Sequence, residues 1–225
     1  MLADRLAFNT SAGIQVVARA IAREVLERSA TRPRELTLTG QLVVIVNEGP
    51  LPARLSEFLC MYPNVVQAMV GHFSFGEVLY RVKPNLGGLN PDLAVGTFMG
   101  TSGSLHWQHF LFCPAEGSFF ADSAPTGALK QAIDKLEHFE KWKWLPDNRT
   151  QEMKDLGVDD LGRHEGIILV GRRDHFCDSD RQIIRSFRER DIYIRSYDWL
   201  IEACIYVDPA RNAERGSTVH AEESL

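Results

Sequence analysis

Five residues, Ile167-Ile-Leu-Val-Gly171, constrain this chain more than any others. A run without a polar side chain cannot lie on a sheet face open to water, so it reads as a strand buried on both faces. After it, Asp178 or Ser179 caps a helix to about Arg190, Ile192–Arg195 reads as a strand, and Tyr197–Tyr206 reads as a last helix. Strand–helix–strand alternation requires parallel crossovers, which belong to an α/β sheet covered on both sides.

The preceding stretch has another rhythm. Glu77–Val82 alternates apolar and polar residues, Asp92–Gly96 gives a second strand, and Leu105–Cys113 gives a third. Gly87-Gly88 and Gly100–Gly103 mark the turns of a meander. A helix over 126–144 follows, with Ala128, Leu129, Ala132, Ile133, Leu136 and Phe139 on one stripe. The expected fold is therefore α/β, a three-layer sandwich with a mixed central sheet and an N-terminal helical extension. In the extension, period-3.6 spacing predicts a helix over 11–28, and the β-branched run 36–46 predicts a strand. A short helix over 52–60 and an apolar patch over 64–70 come next. Residues 146–165 are polar and read as a loop, and the polar tail after Asp208 reads as disordered. These divisions predict an extension over 1–50, a main domain over 51–207 and a tail over 208–225.

Composition excludes some roles. The net charge of -5 argues against general coating of polyanions, though it leaves room for a local basic groove. Cys60, Cys113, Cys177 and Cys204 are too scattered for a zinc motif and lie in apolar segments, so the expectation is four buried free thiols in a reducing, cytoplasmic setting. No apolar run approaches the roughly 18 residues of a membrane span, and the early Asp4 argues against a secretory signal.

The residues that point to chemistry lie in the meander. Pro91-Asp92 opens a strand, and an acid there can bind Mg²⁺ or Mn²⁺ through hard oxygen atoms. An acid at the start of one strand plus an acid and a lysine at i and i+2 of the neighbouring strand, on the face beside the first acid, is one arrangement that achieves phosphodiester hydrolysis. The neighbour here reads Trp107-Gln-His-Phe-Leu-Phe-Cys-Pro114. It offers Leu111 and Cys113, or Phe110 and Phe112 in the adjacent register, and neither pair ligates Mg²⁺.

Four stretches in order resemble the Shedu family of antiphage defence proteins, whose domain is a PD-(D/E)XK nuclease. They are LSEFLCMYPNVV (55–66), NPDLAVG (90–96), APTGALKQAIDKLEHF (124–139), and ILVGRRDHF with IYIRSYDWLIEA (168–203). The resemblance covers roughly residues 52–205. It implies a restriction-endonuclease-like sheet, Asp92 as a metal-ligand position, Gln131 as a helix residue facing the site, and Mg²⁺ or Mn²⁺ as cofactor if the protein is active. It further implies DNA as a partner, together with a homo-oligomer or a partner defence protein. It fails at the Glu and Lys positions, where Leu111 and Cys113 stand. Two readings follow, a nuclease fold that no longer cuts, or a nuclease with relocated residues such as Glu77, Glu116 or Lys130. A third is a protein-interaction module that shares only the fold.

Other residues carry weaker signals. His109 can replace a metal ligand, since imidazole suits Zn²⁺ or Mn²⁺ better than Mg²⁺, but a strand histidine among Trp and Phe is more often simply half-buried. His106 falls on the opposite strand face from His109. Arg181, Arg185 and Arg188 recur along one helix face, and Arg172-Arg173 end the central strand, so these arginines are candidate phosphate contacts. Interleaved Asp178, Asp180, Glu189 and Asp191 offer the plainer reading of a solvated mixed-charge face. Asp198 is expected to cap the last helix, and Trp142 and Trp144 to pack at the end of the long one.

Overall fold

The computed structural model describes residues 37–48, 52–70, 78–86, 88–99, 104–143, 145–156 and 162–208. The helix expected over 11–28, Glu77, Trp144 and the tail after Asp208 lie outside them.

The three meander strands are β1 (Val78–Val82), β2 (Leu93–Met99) and β3 (Ser104–Phe112), paired antiparallel. A small hairpin, β4 (Phe120–Ala121) and β5 (Ala124–Pro125), precedes the long helix α4 (Gly127–Trp142). β6 (Arg163–Leu169) then pairs parallel to β3, and β7 (Ile192–Arg195) parallel to β6. The sheet order is β1-β2-β3-β6-β7, mixed as expected, with β3 at its centre.

Alternation along these strands divides the core in two. Leu93, Val95, Phe110, Phe112, Ile167 and Leu169 meet α1 (Leu38–Asn47), α2 (Pro52–Met61), α3 (Pro63–Val70) and α7 (Tyr197–Val207) on one face. Ala94, Trp107, Leu111, Cys113, Ile168 and Val170 meet α4, with Met153 and Leu156 of α5 (Pro146–Leu156) and Ile183 and Ile184 of α6 (Asp178–Ser186), on the other. The apolar run at 167–170 thus feeds both cores at once.

Two segments differ from expectation. Residues 38–47 are helical, not a strand. Thr37 caps the helix by accepting the Gly40 N–H at 3.1 Å, and Leu38, Leu42, Val43, Ile45 and Val46 are all buried. The β-branched run favours a strand locally, but burial against α7 overrides a propensity that spans only about 1 kcal/mol. Residues 146–156, expected to be loop, form α5. Its inward side has few apolar residues, which hides it from a hydrophobic pattern.

The chain ends of this layer are joined through Asp208. Its buried carboxylate accepts both the Thr39 backbone N–H (2.9 Å) and the Thr39 hydroxyl (2.8 Å), tying the start of α1 to the residue after α7. Hydrogen bonds to a charged group contribute about 1.5–3 kcal/mol each, so Asp208→Ala is expected to lower stability by about 2–4 kcal/mol in a denaturant titration. Asp208→Asn, which keeps one acceptor, is expected to lose less.

Candidate functional site

The β2–β3 register decides which residues of β3 stand beside Asp92. Asp92 directly precedes β2, and its N–H donates to the Phe110 carbonyl at 2.9 Å. One step beyond the Leu93↔Phe110 pair, the antiparallel register sets Asp92 beside Leu111. The Asp92 carboxylate accepts the Phe112 N–H at 2.8 Å, and its carbonyl accepts the Ser56 hydroxyl at 3.0 Å. Burial raises its pKa, against the lowering effects of the Phe112 N–H and of Lys83 and Lys135. Asp92 is thus held by the backbone of the neighbouring strand, in a partly desolvated place.

Leu111 and Cys113 fill the space beside it. Both are buried among Leu129, Ala132 and Ile133 of α4. Burial pushes the Cys113 thiol up to about 12, with the Asp92 charge adding to the effect, so the thiol stays protonated. The Tyr197 hydroxyl closes the far side by donating to the Cys113 carbonyl at 2.6 Å. Gln131 is exposed on α4, and Lys135, one turn on, is the helix cation that acts on both Asp92 and Cys113. Lys135 was missed in the sequence, although its i+4 spacing from Gln131 places it on the same side of the helix.

The raised pKa of Asp92 fixes the sign of its pH effect. The fold favours the protonated form, so the associated stability is present at low pH and is lost as pH rises through the folded-state pKa. Asp92→Asn keeps an acceptor for Phe112 and removes the charge. It is expected to leave the melting temperature at pH 7 unchanged or slightly higher, whereas Asp92→Ala orphans the Phe112 N–H and loses about 1–2 kcal/mol.

The other proposed participants lie elsewhere. Glu116 is 82% exposed and faces His175, and Lys130 pairs with Asp134 at 2.5 Å. Arg172 is held by Asp198 (2.8 Å) and reaches Asn47, while Arg173 pairs with Glu202 (2.6 Å). Asp198 therefore does not cap the last helix, whose N-cap is Ser196. It accepts the Arg172 guanidinium and the Arg173 N–H (2.6 Å) instead. Arg181 makes only an exposed pair with Asp178, and Arg185 and Arg188 are exposed. Trp142 packs on Phe139, as expected. Among the cysteines, Cys113 and Cys204 are buried, Cys60 is half-buried, and Cys177 is exposed at the start of α6, 2.9 Å from the Ser179 hydroxyl, so burial of all four thiols does not hold.

A second polar cluster lies on the α4 face of the same strand. His109 stands two residues from Leu111 on β3, and His164 starts the neighbouring parallel strand, opposite Trp107. His109 Nε2 lies 3.0 Å from His164 Nδ1, and His164 Nδ1 lies 3.5 Å from Glu152 Oε1 of α5. His109 and Glu152 are buried and His164 nearly so. Phe139 sets its edge against both imidazoles, with ring centroids 5.1 and 5.8 Å away. Burial lowers the pKa of His109 to about 3, helped by Lys143, and burial likewise lowers that of His164, helped by His109 and Lys143. Both rings are therefore neutral at pH 7. His106, on the opposite face, sits 3.3 Å from Glu165, which confirms that the two β3 histidines do not converge.

Among the described residues, His109, Glu152 and His164 are the one group of three or more His, Cys, Asp or Glu whose donor atoms lie within 4.8 Å of one another. Asp92 does not belong to it. No family model matches the chain, and no curated protein matches it. No described helix is long and apolar enough to cross a membrane.

Proposed function

We propose that this chain is a non-cleaving relative of the PD-(D/E)XK nucleases, of the Shedu antiphage defence type, acting as a nucleic-acid-binding subunit. The observation that supports it best is the filled place beside Asp92. A meander β1-β2-β3 continued by parallel β6 and β7 is compatible with a restriction-endonuclease-like sheet, with the acid just before β2 beside the end of β3. There, Leu111 and Cys113 occupy the positions of the second acid and the lysine, and both are packed into the apolar core. The Asp92 carboxylate already accepts a backbone N–H, and Leu111 and Cys113 offer a Mg²⁺ no hard oxygen beside it.

The binding role rests on α6 and the single 3-10 turn, Phe187–Arg190, that follows it. Arg181, Arg185 and Arg188 are exposed, and the Arg181–Asp178 pair is of the surface kind worth about 0–1 kcal/mol, so a phosphate can displace it. Arg172 and Arg173 are committed to Asp198 and Glu202 and are assigned to holding β6 against α7. Duplex DNA binding measured across a salt series tests this. Affinity is expected to fall with salt by about 0.9 in log–log slope per phosphate contact, and Arg181→Ala with Arg185→Ala to lower the slope by about 2. No affinity at low salt would remove the nucleic-acid role.

A further inference from the structure

We propose that His109, Glu152 and His164 bind one divalent transition-metal ion of the zinc class, with an open coordination position facing the cleft beside α4. Two imidazoles and one carboxylate form a donor set suited to Zn²⁺, Co²⁺ or Ni²⁺ and poorly suited to Mg²⁺ or Ca²⁺, which prefer oxygen. This is a different ion from the one an acidic nuclease site would hold, and the proposal stands whether or not the nuclease relationship does.

The geometry carries it. Around a tetrahedral ion with bonds of about 2.0–2.1 Å, neighbouring ligand atoms are separated by about 3.3 Å. Two of the three ligand edges here are 3.0 Å (His109 Nε2 to His164 Nδ1) and 3.5 Å (His164 Nδ1 to Glu152 Oε1), and all three ligand atoms lie within 4.8 Å of one another, so a modest rearrangement admits the ion. The three ligands come from β3, α5 and β6, and Phe139 fixes both rings against turning. Without metal, the rings share one N–H between them. With metal, both facing nitrogens give their lone pairs to the ion, and the shared hydrogen moves to the far nitrogen of its own ring.

The site borders two clefts, on the side of His164, its most exposed member. His109 and His164 line a cleft of about 380 Å³ between α4 and the start of β7, which is large enough for a fourth ligand such as water. Glu152 and His164 line a neighbouring cleft of about 240 Å³. Lys143 and Arg149 bring positive charge nearby, and Lys143 is offset by Glu140 at 2.7 Å.

Calorimetric titration of Zn²⁺ into the full, chelator-stripped chain tests the proposal, with Co²⁺ as an optical probe of geometry. Cys177→Ser serves as background, so that the exposed thiol is not counted. One ion per chain is expected. His109→Ala, His164→Ala and Glu152→Gln are each expected to weaken binding at least about 100-fold, since even outer-shell partners are worth 10–100-fold. Absent binding, or binding unchanged by these substitutions, would overturn the proposal. If the variants fail to fold, X-ray absorption on the zinc-loaded Cys177→Ser protein decides it. Two imidazoles with oxygen support the site, and any sulfur ligand or fewer than two imidazoles contradicts it.

Discussion

Trp107→Ala is expected to lower folding stability by about 3–5 kcal/mol, a large share of the roughly 5–15 kcal/mol that holds a domain of this kind together. Trp107 is fully buried on β3, the central strand, and packs into the α4-side core. Its partner across the β2–β3 ladder is Gly96, and a Cβ on Gly96 would stand 2.9 Å from the indole Cη2. The glycine thus provides room for the ring, and no small side chain refills that volume. Because the indole Nε1 is buried without a hydrogen-bond partner, Trp107→Phe is expected to cost much less than the alanine variant. Gly96→Ala is expected to destabilise the native protein, and less so in the Trp107→Phe background. A urea double-mutant cycle measures that coupling, and strict additivity would contradict the close packing.

Acidifying the metal-free protein from pH 7 to pH 4 is expected to remove about 3 kcal/mol through His109 alone. Burial holds its folded pKa near 3, against an ordinary value of 6.5. A depressed folded pKa means that the unfolded chain binds the proton more tightly. Stability is therefore complete above pH 6.5 and declines as pH falls from there toward 3, by about 1.4 kcal/mol per pH unit. His164 shifts the same way, through burial and the charges of its neighbours. Glu165 adds to the acid loss, its pKa lying low because His106, Gln108 and Arg163 outweigh the effect of burial, and Asp92 acts in the opposite sense. His109→Gln keeps a side-chain amide near His164 and does not titrate. Denaturant unfolding at several pH values is expected to show its stability falling by one proton's slope less than that of the native chain between pH 6.5 and 4. Parallel profiles would mean that His109 is not the buried neutral group described.

Legibility in the sequence followed how each element is buried. The meander and β6 were readable because alternation and an unbroken apolar run reflect one-sided and two-sided burial directly. Helix α1 was not, because Leu42-Val-Val-Ile-Val46 carries the composition of a strand and only its packing against α7 makes it helical. Helix α5 was hidden for the opposite reason, since its inward residues include Glu152 beside Met153 and Leu156. The same obstacle hid the histidine site. His109 stood out among its aromatic neighbours, but His164 lies 55 residues away and is joined to it only by the parallel β3–β6 register. Strand periodicity put Leu111 and Cys113 on one face, but it left the adjacent pair Phe110 and Phe112 open, and only the β2–β3 register sets Asp92 beside Leu111.

We propose that a nuclease framework persists here with its cutting positions rewritten. A cleavage assay on duplex and nicked DNA with Mg²⁺ or Mn²⁺, run with the native chain and Asp92→Ala, tests it most directly. No cleavage above background is expected from either protein; cleavage by the native chain that Asp92→Ala abolishes would overturn the non-cleaving reading.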